Sequence, residues 1–172
     1  MKTPNRNESQ LVIQSHLKTL SIKDASQVWR INEEGLPWVG KGSEAEIEGL
    51  LEHSSFALGA FNGDLLQGFV ICLPPKTTYS SLNYRWFNER YDDFLYVDRI
   101  AISAQHRGQG IGAQIYSAVV EAAQDKSVPV LAEVMKKPLN EPSMHFHSAF
   151  SFVEVGTLIH EKYTVSMLFR SA

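Results

Sequence analysis

Tyr96-Val-Asp-Arg-Ile-Ala-Ile-Ser103 runs into Ala104-Gln-His-Arg-Gly-Gln-Gly-Ile-Gly112, and then into Ala113-Gln-Ile-Tyr-Ser-Ala-Val-Val-Glu-Ala-Ala-Gln124. The first part, rich in β-branched and aromatic residues, predicts a strand. The last part predicts a helix. Ile111, Ile115, Ala118, Val119 and Ala122 recur at helical spacing, while Gln114, Ser117, Glu121 and Gln124 fall on the other face. Between them stand Gly108, Gly110 and Gly112. Glycine is costly in backbone entropy, and it lets the chain turn sharply and a ligand approach the main chain. The free N–H groups of the helix start, at the positive end of its dipole, then form a cradle for an anion, most naturally a phosphate.

Three readings of this cradle compete. A glycine-rich turn can simply pack a helix on a strand. A dinucleotide fold is the second, since Gly108, Gly110 and Ala113 satisfy the relaxed G-x-G-x-x-G/A pattern and Glu133 holds the acidic position after the next strand. Against it, Ala104 to Arg107 separates strand from glycines, and too little chain follows Glu133 for further βαβ units. No Gly-Lys-Ser/Thr follows, which excludes a Walker loop. Third, Arg107 to Gly112 resembles the R/Q-x-x-G-x-G/A signature of the GCN5-related N-acetyltransferases, which bind acetyl-coenzyme A. The resemblance assigns cofactor binding to Arg107, Gly108, Gln109, Gly110, Ile111 and Gly112. It also assigns the main chain of Ile100, Ala101 and Ile102 to the pantetheine arm and the acetyl carbonyl.

The rest of the chain supports the third reading. Helices are expected from Asp24 to about Glu34 behind Ser21, and from Ser43 through Leu51. Ser55–Asn62 and Leu65–Leu73 flank Asn62-Gly63-Asp64, a hairpin signal. Tyr79 to Asp93 holds a helical turn, and Val128 to Met135 is an apolar run suited to a parallel neighbour of the central strand. Asn140-Glu141-Pro142 opens a short helix, followed by an antiparallel pair over Phe152–Ile159 and Lys162–Arg170. Leu11-Val12-Ile13 reads as a short strand or a helix start, and residues 1–9 as a frayed end. The expected fold is therefore α/β (α+β): a mixed, mostly antiparallel sheet with one βαβ crossover, flanked by helices, in one domain over 1–172. This is the element order of the acetyltransferase superfamily, whose strands splay apart at the cofactor.

A second stretch, Asn140 to Phe152, is similar to the family's pattern of Asn, a small residue three on, Tyr seven on and Gly-Phe at the end. Asn140, Ser143 and Phe152 match, which extends the cofactor-binding set to Asn140 and Ser143, while His147 replaces the tyrosine and Ser151 the glycine. In the family that tyrosine is often placed to protonate the departing thiolate. His147 is then either a proton donor or a hydrogen-bond partner of the cofactor. Asp98 and Glu133 are the candidate bases for the incoming amine. Each also has a plainer reading, Asp98 as the partner of Arg99 and Glu133 as a strand-end carboxylate. Acceptor binding falls to Asn32, Glu33, Trp38, Tyr84 and Trp86, with Phe87 and Tyr91 nearby, as an aromatic pocket with an acid. A lone Cys72 and an H-x-H pair make no zinc site.

Composition narrows the class. The chain has 172 residues, 44% hydrophobic, and a net charge of −3 with no basic run, so nucleic acid is not an expected partner. One cysteine permits no internal disulfide, which suits a reducing compartment. The polar start lacks a signal peptide's apolar region and no run has membrane-spanning length, so a cytoplasmic protein is expected. The expectation is an N-acetyltransferase acting on a small-molecule or protein amine with acetyl-coenzyme A as cosubstrate, no metal and no membrane partner, a homodimer being left open. The alternative is an acyl-CoA-binding domain without turnover.

Overall fold

The computed structural model describes residues 15–172. The expectations for residues 1–9 and for Leu11-Val12-Ile13 lie outside them. Strand β1 (His16–Thr19) leads through a 3₁₀ turn to helices α1 (Ala25–Gly35) and α2 (Glu44–His53). Strands β2 (Phe56–Asn62) and β3 (Leu65–Leu73) follow, then α3 (Leu82–Asn88) and β4 (Leu95–Ile102). Helix α4 (Ile111–Asp125), β5 (Val130–Lys137), α5 (Glu141–Ala149), β6 (Val153–Ile159) and β7 (Thr164–Arg170) complete the order. Among the described residues, seven strands form one sheet in the order β1-β2-β3-β4-β5-β7-β6. Only β4 and β5 pair in parallel; the other neighbours are antiparallel. The expected mixed sheet with one crossover is what the chain forms.

Local chemistry explains the helix starts. Ser43 accepts from the Glu46 N–H at 3.3 Å while the Ser43 N–H donates to Glu46 Oε2 at 2.6 Å, a reciprocal cap. Before α1, Asp24 Oδ2 accepts from the Ser21 N–H at 2.8 Å. Sheet alternation then splits the core in two. Phe69, Ile71, Tyr96, Leu131 and Met167 share one cluster with residues of α1, α2 and α3, whereas Val70, Cys72, Val97, Ala132 and Leu168 share the other with residues of α4. Strand β1 was not expected from HLKT, which has no apolar alternation. It is held through its main chain, Leu17 opposite Ala60 and Thr19 opposite Leu58.

Two irregularities of β4 shape the site. Ile71 pairs with Arg99 but Cys72 with Val97, so Asp98 is an extra residue, a β-bulge. Side chains alternate up to Val97, but Asp98 and Arg99 then meet, with Arg99 Nε donating to Asp98 Oδ2 at 3.0 Å. The second irregularity is the parallel seam. It holds only Leu95–Val130, Tyr96–Leu131 and Val97–Ala132, and beyond it β4 and β5 diverge into a cleft.

The turn after α5 keeps its geometry without the family's glycine. Ser151 lies at φ 65° and the following amides close a Schellman motif, Ser151 N–H to Ser148 O at 2.9 Å and Phe152 N–H to His147 O at 3.1 Å. A non-glycine residue in this left-handed region costs roughly 1 kcal/mol. Ser151→Gly is expected to raise stability by about that amount, a rise of ~2–4 °C in melting temperature for a chain of this size, read by thermal unfolding.

Candidate active site

The cradle forms where β4 ends. The Arg107 side chain does not reach outward. Its Nε donates to the Ile102 carbonyl at 3.1 Å and Nη2 to the Glu34 carbonyl at 2.9 Å, while Glu34 Oε2 accepts from the Ala104 N–H at 2.6 Å. Arg107 thus staples the loop to the end of β4 and to α1, and what the loop offers a ligand is its main chain. Gly108 and Gly110 have φ +74° and +81°, and a Cβ at either would meet no atom within 4 Å. Both need a glycine conformation and both face open space. Gly110 starts α4 without a side-chain cap, so the amides of its first turn keep their hydrogen-bonding capacity. Gln109 folds back onto the Gln105 carbonyl at 3.1 Å, and Ile111 is buried in the core. A Cβ on Gly112 would stand 3.6 Å from Phe146, an ordinary contact between α4 and α5.

The cradle opens into the cleft between β4 and β5, a cavity of about 910 Å³. Ile100, Ala101 and Ile102 form one wall, paired to β3 through Val70, Phe69 and Gly68 and unpaired on the β5 side. Asp98, Glu133, Asn140, Ser143 and His147 also line it. The expected cofactor-binding and proton-transfer residues thus line one cavity, except Gln109, which folds back on its own loop, and Ile111, which belongs to the core.

The two carboxyl groups differ. Asp98 is engaged by Arg99, and burial raises its pKa while that guanidinium holds it down. This is the ion pair weighed as its plainer role. Among the described residues no cation pairs with Glu133. Its Oε1 accepts from the Tyr96 hydroxyl at 2.9 Å and from Asn83 Nδ2 at 3.0 Å, while Oε2 is buried without a partner. Burial, reinforced by the charge of Asp98, pushes the Glu133 pKa up to about 8. Glu133 is thus a carboxyl with one buried, orphaned oxygen and a raised proton affinity, in a residue that lines the cavity.

His147 faces the same cavity from α5. Asn140 caps that helix, its Oδ1 accepting from the Ser143 N–H at 3.2 Å, and the Ser143 carbonyl accepts from His147 Nδ1 at 2.8 Å. A carbonyl cannot donate, so Nδ1 carries the hydrogen. The ring is buried among Tyr116, Phe146 and Phe152, and burial lowers its pKa. A neutral imidazole whose only N–H is already engaged presents Nε2 as an acceptor. Of the two roles expected for His147, this geometry favours the hydrogen-bond partner over the proton donor.

The acceptor residues expected from sequence scatter. Trp38 lines the cavity, 47% exposed. Asn32 is buried as a brace, donating to the Gly40 carbonyl at 3.0 Å and accepting from Arg99 Nη1 at 3.1 Å. Glu34 lines the cavity and Glu33 does not. Tyr84 is buried, its hydroxyl donating to the Pro74 carbonyl at 2.6 Å, so it belongs to the core. Trp86 covers Gly156 and stacks under Arg90, 4.0 Å from ring centroid to guanidinium, away from the cavity. Phe87 is core and Tyr91 stacks on Phe169. Their places in the cavity wall are taken by Tyr79, Asn83, Arg99 and Tyr163. The one local signal for any of these was Arg99 beside Asp98. Among the described residues no group of three or more His, Cys, Asp or Glu could hold a metal ion, and no helix is long and apolar enough to cross a membrane. Cys72 is buried in β3, and burial pushes its thiol up.

Residues 25–152 match the acetyltransferase (GNAT) family profile. No curated protein matches the sequence. Among solved structures, Arabidopsis thaliana NAA60 in complex with acetyl-CoA superposes with a TM-score of 0.74 at 15% identity, covering 92% of this chain and 100% of that one. The ribosomal-protein-S18-alanine N-acetyltransferase from Escherichia coli gives 0.73 at 12% identity, covering 92% and 94%. Ard1 from Thermoplasma volcanium gives 0.73 at 16% identity, covering 91% and 97%. At these identities the likeness is one of fold.

Proposed function

Because the chain belongs to the acetyltransferase (GNAT) family, we propose that it moves an acetyl group from acetyl-coenzyme A to a primary amine of a small molecule or a protein, with Glu133 as the base. The observation that carries the reading is the partnerless, buried Oε2 of Glu133 in the same cavity as the open glycine cradle. The residues present fit the cosubstrate: open space at Gly108 and Gly110 over uncapped helix amides, then a strand edge free on one side. Bound there, acetyl-coenzyme A supplies an acetyl group already activated as a thioester.

This chain's residues then have distinct tasks. The main chain of Arg107 to Gly112 holds phosphate, with Arg107 keeping the loop in shape. The main chain of Ile100 to Ile102 orients the arm and aims a donor at the acyl oxygen, a contribution of ~3 kcal/mol in other acyl-transfer enzymes. Glu133 Oε2 takes the proton that the amine must lose. Asp98 fixes Arg99 and adds negative charge that keeps the Glu133 proton affinity high. Asn140 and Ser143 build the helix turn that aims His147.

Release of free thiol from acetyl-coenzyme A across a panel of primary amines tests the proposal. Amine-dependent release supports it; tight binding with no amine-dependent release marks a binding domain instead. His147 adds a second check. If its Nε2 accepts a hydrogen bond from the cosubstrate, His147→Ala raises the acetyl-coenzyme A dissociation constant about tenfold, the worth of one hydrogen bond, and leaves saturated turnover near the parent value. A fall in kcat with unchanged affinity would restore the proton-donor role.

A further inference from the structure

We propose that Asn83 and His160 are positioning residues for Glu133, a hydrogen-bonded strut that occupies one carboxyl oxygen and leaves the other as the proton-exchanging atom. The inference rests on the reading of Glu133 as the base. His160 stands in the turn between β6 and β7, its Nε2 2.8 Å from Asn83 Oδ1. An amide oxygen only accepts, so with this orientation Nε2 carries the hydrogen. That bond fixes which end of the Asn83 amide faces inward. Nδ2 then donates to Glu133 Oε1 at 3.0 Å, beside the Tyr96 hydroxyl at 2.9 Å.

Two donors on Oε1 leave it no place for a proton. In the acid form the proton must sit on Oε2, and in the base form the lone pair opens there, on the atom without a partner. The strut thus decides which of the two carboxyl oxygens exchanges the proton. Its outer end is anchored: the His160 ring stacks on Tyr163 at 4.3 Å between centroids, and the His160 N–H donates to the Tyr163 carbonyl at 2.8 Å. Tyr163 itself lines the cavity. Three segments far apart in the chain, α3, β5 and the β6–β7 turn, are joined through one carboxyl group.

The other groups around Glu133 are Asp98 and Tyr96 on β4: the charge of Asp98 raises its proton affinity, whereas the Tyr96 hydroxyl, donating to Oε1, lowers it. No cation among the described residues faces it, so the amide and the phenol, together with the backbone N–H of Glu133 itself, are the donors that stabilise its charged form. Charging His160 does not break the strut, because Nε2 donates in both states.

NMR of isotopically labelled glutamate carboxyl carbons, followed against pH without ligand, tests this directly. The Glu133 signal is identified by its loss in Glu133→Gln. The parent is expected to titrate near 8. Asn83→Leu removes a donor to the carboxylate and moves the midpoint upward by about one pH unit, a tenfold change in proton affinity. His160→Phe keeps the stacking surface but loses the donor, and moves the midpoint the same way by less. His160→Gln supplies an amide donor and returns the parent midpoint. An unmoved midpoint in Asn83→Leu, or equal shifts in His160→Phe and His160→Gln, overturns the strut. Failure of the base reading has a different signature: Glu133→Gln would acetylate amines at the parent rate whatever the titrations show.

Discussion

Gly110→Asp is expected to abolish acetyl-coenzyme A binding while the protein stays folded. A Cβ at Gly110 enters open space, so no neighbour has to move, and aspartate tolerates a φ of +81° better than most residues. The strain is of order 1 kcal/mol, which a domain of this size withstands. The charge decides the outcome. A carboxylate about 4 Å from a phosphate, at an effective dielectric near 20, is repelled by on the order of 4 kcal/mol, close to a thousandfold in affinity. Gly110→Ala carries the strain without the charge and is the control. Titration calorimetry reads affinity and circular dichroism reads the fold. Parent-like affinity in Gly110→Asp would move the cosubstrate away from this loop. The same titration with NAD separates the dinucleotide reading.

Glu133→Gln is expected to lower saturated turnover by about a hundredfold or more, with little change in acetyl-coenzyme A affinity. Glutamine keeps the size of the side chain, and its carbonyl oxygen can still accept from Tyr96 and Asn83. The parent rate should climb with pH through about 8, as the carboxyl group releases its proton, and the variant should lack that rise. Stability runs the other way. A carboxyl whose folded pKa lies above its unfolded value of 4.5 binds more protons folded than unfolded between 4.5 and about 8. Its contribution is fully present below 4.5 and is lost as pH rises through 8. The glutamine variant should therefore gain on the parent in thermal unfolding above pH 8 relative to pH 5.

What the sequence made legible was local. The Gly108-x-Gly110-x-Gly112 spacing fixes a loop, and the apolar period from Ile111 to Ala122 fixes the helix behind it, because both signals lie within a few residues of one another. The Ser43–Glu46 cap and the Asn62-Gly63 turn are of the same kind. Strand β1 was missed because its four residues are mostly exposed and show no apolar alternation, and the ring that His16 and Lys18 lie against, Phe61, is distant in sequence. The acceptor wall was misplaced for a different reason. Tyr84 and Trp86 were aromatic in the right segment, but α3 turns both away from the cavity and presents Asn83, a residue with no pattern around it. Nothing local links Asn83 to His160, 77 residues on, or to Glu133, 50 residues on. The state of His147 was also illegible, since it depends on a carbonyl one helical turn back and on three rings from α4, α5 and the segment before β6.

The three-residue seam between β4 and β5 has a consequence for the folded chain as a whole. The sheet is two leaves, β1 to β4 and β5-β7-β6, sutured along a short line, and past Val97 the facing edges have no strand between them. A ligand lying in that gap completes the suture, so its binding free energy is added to the cohesion of the leaves, about 2.7 kcal/mol at a hundred times its dissociation constant. How firmly the molecule holds together then follows how well supplied it is with the compound that fills the gap.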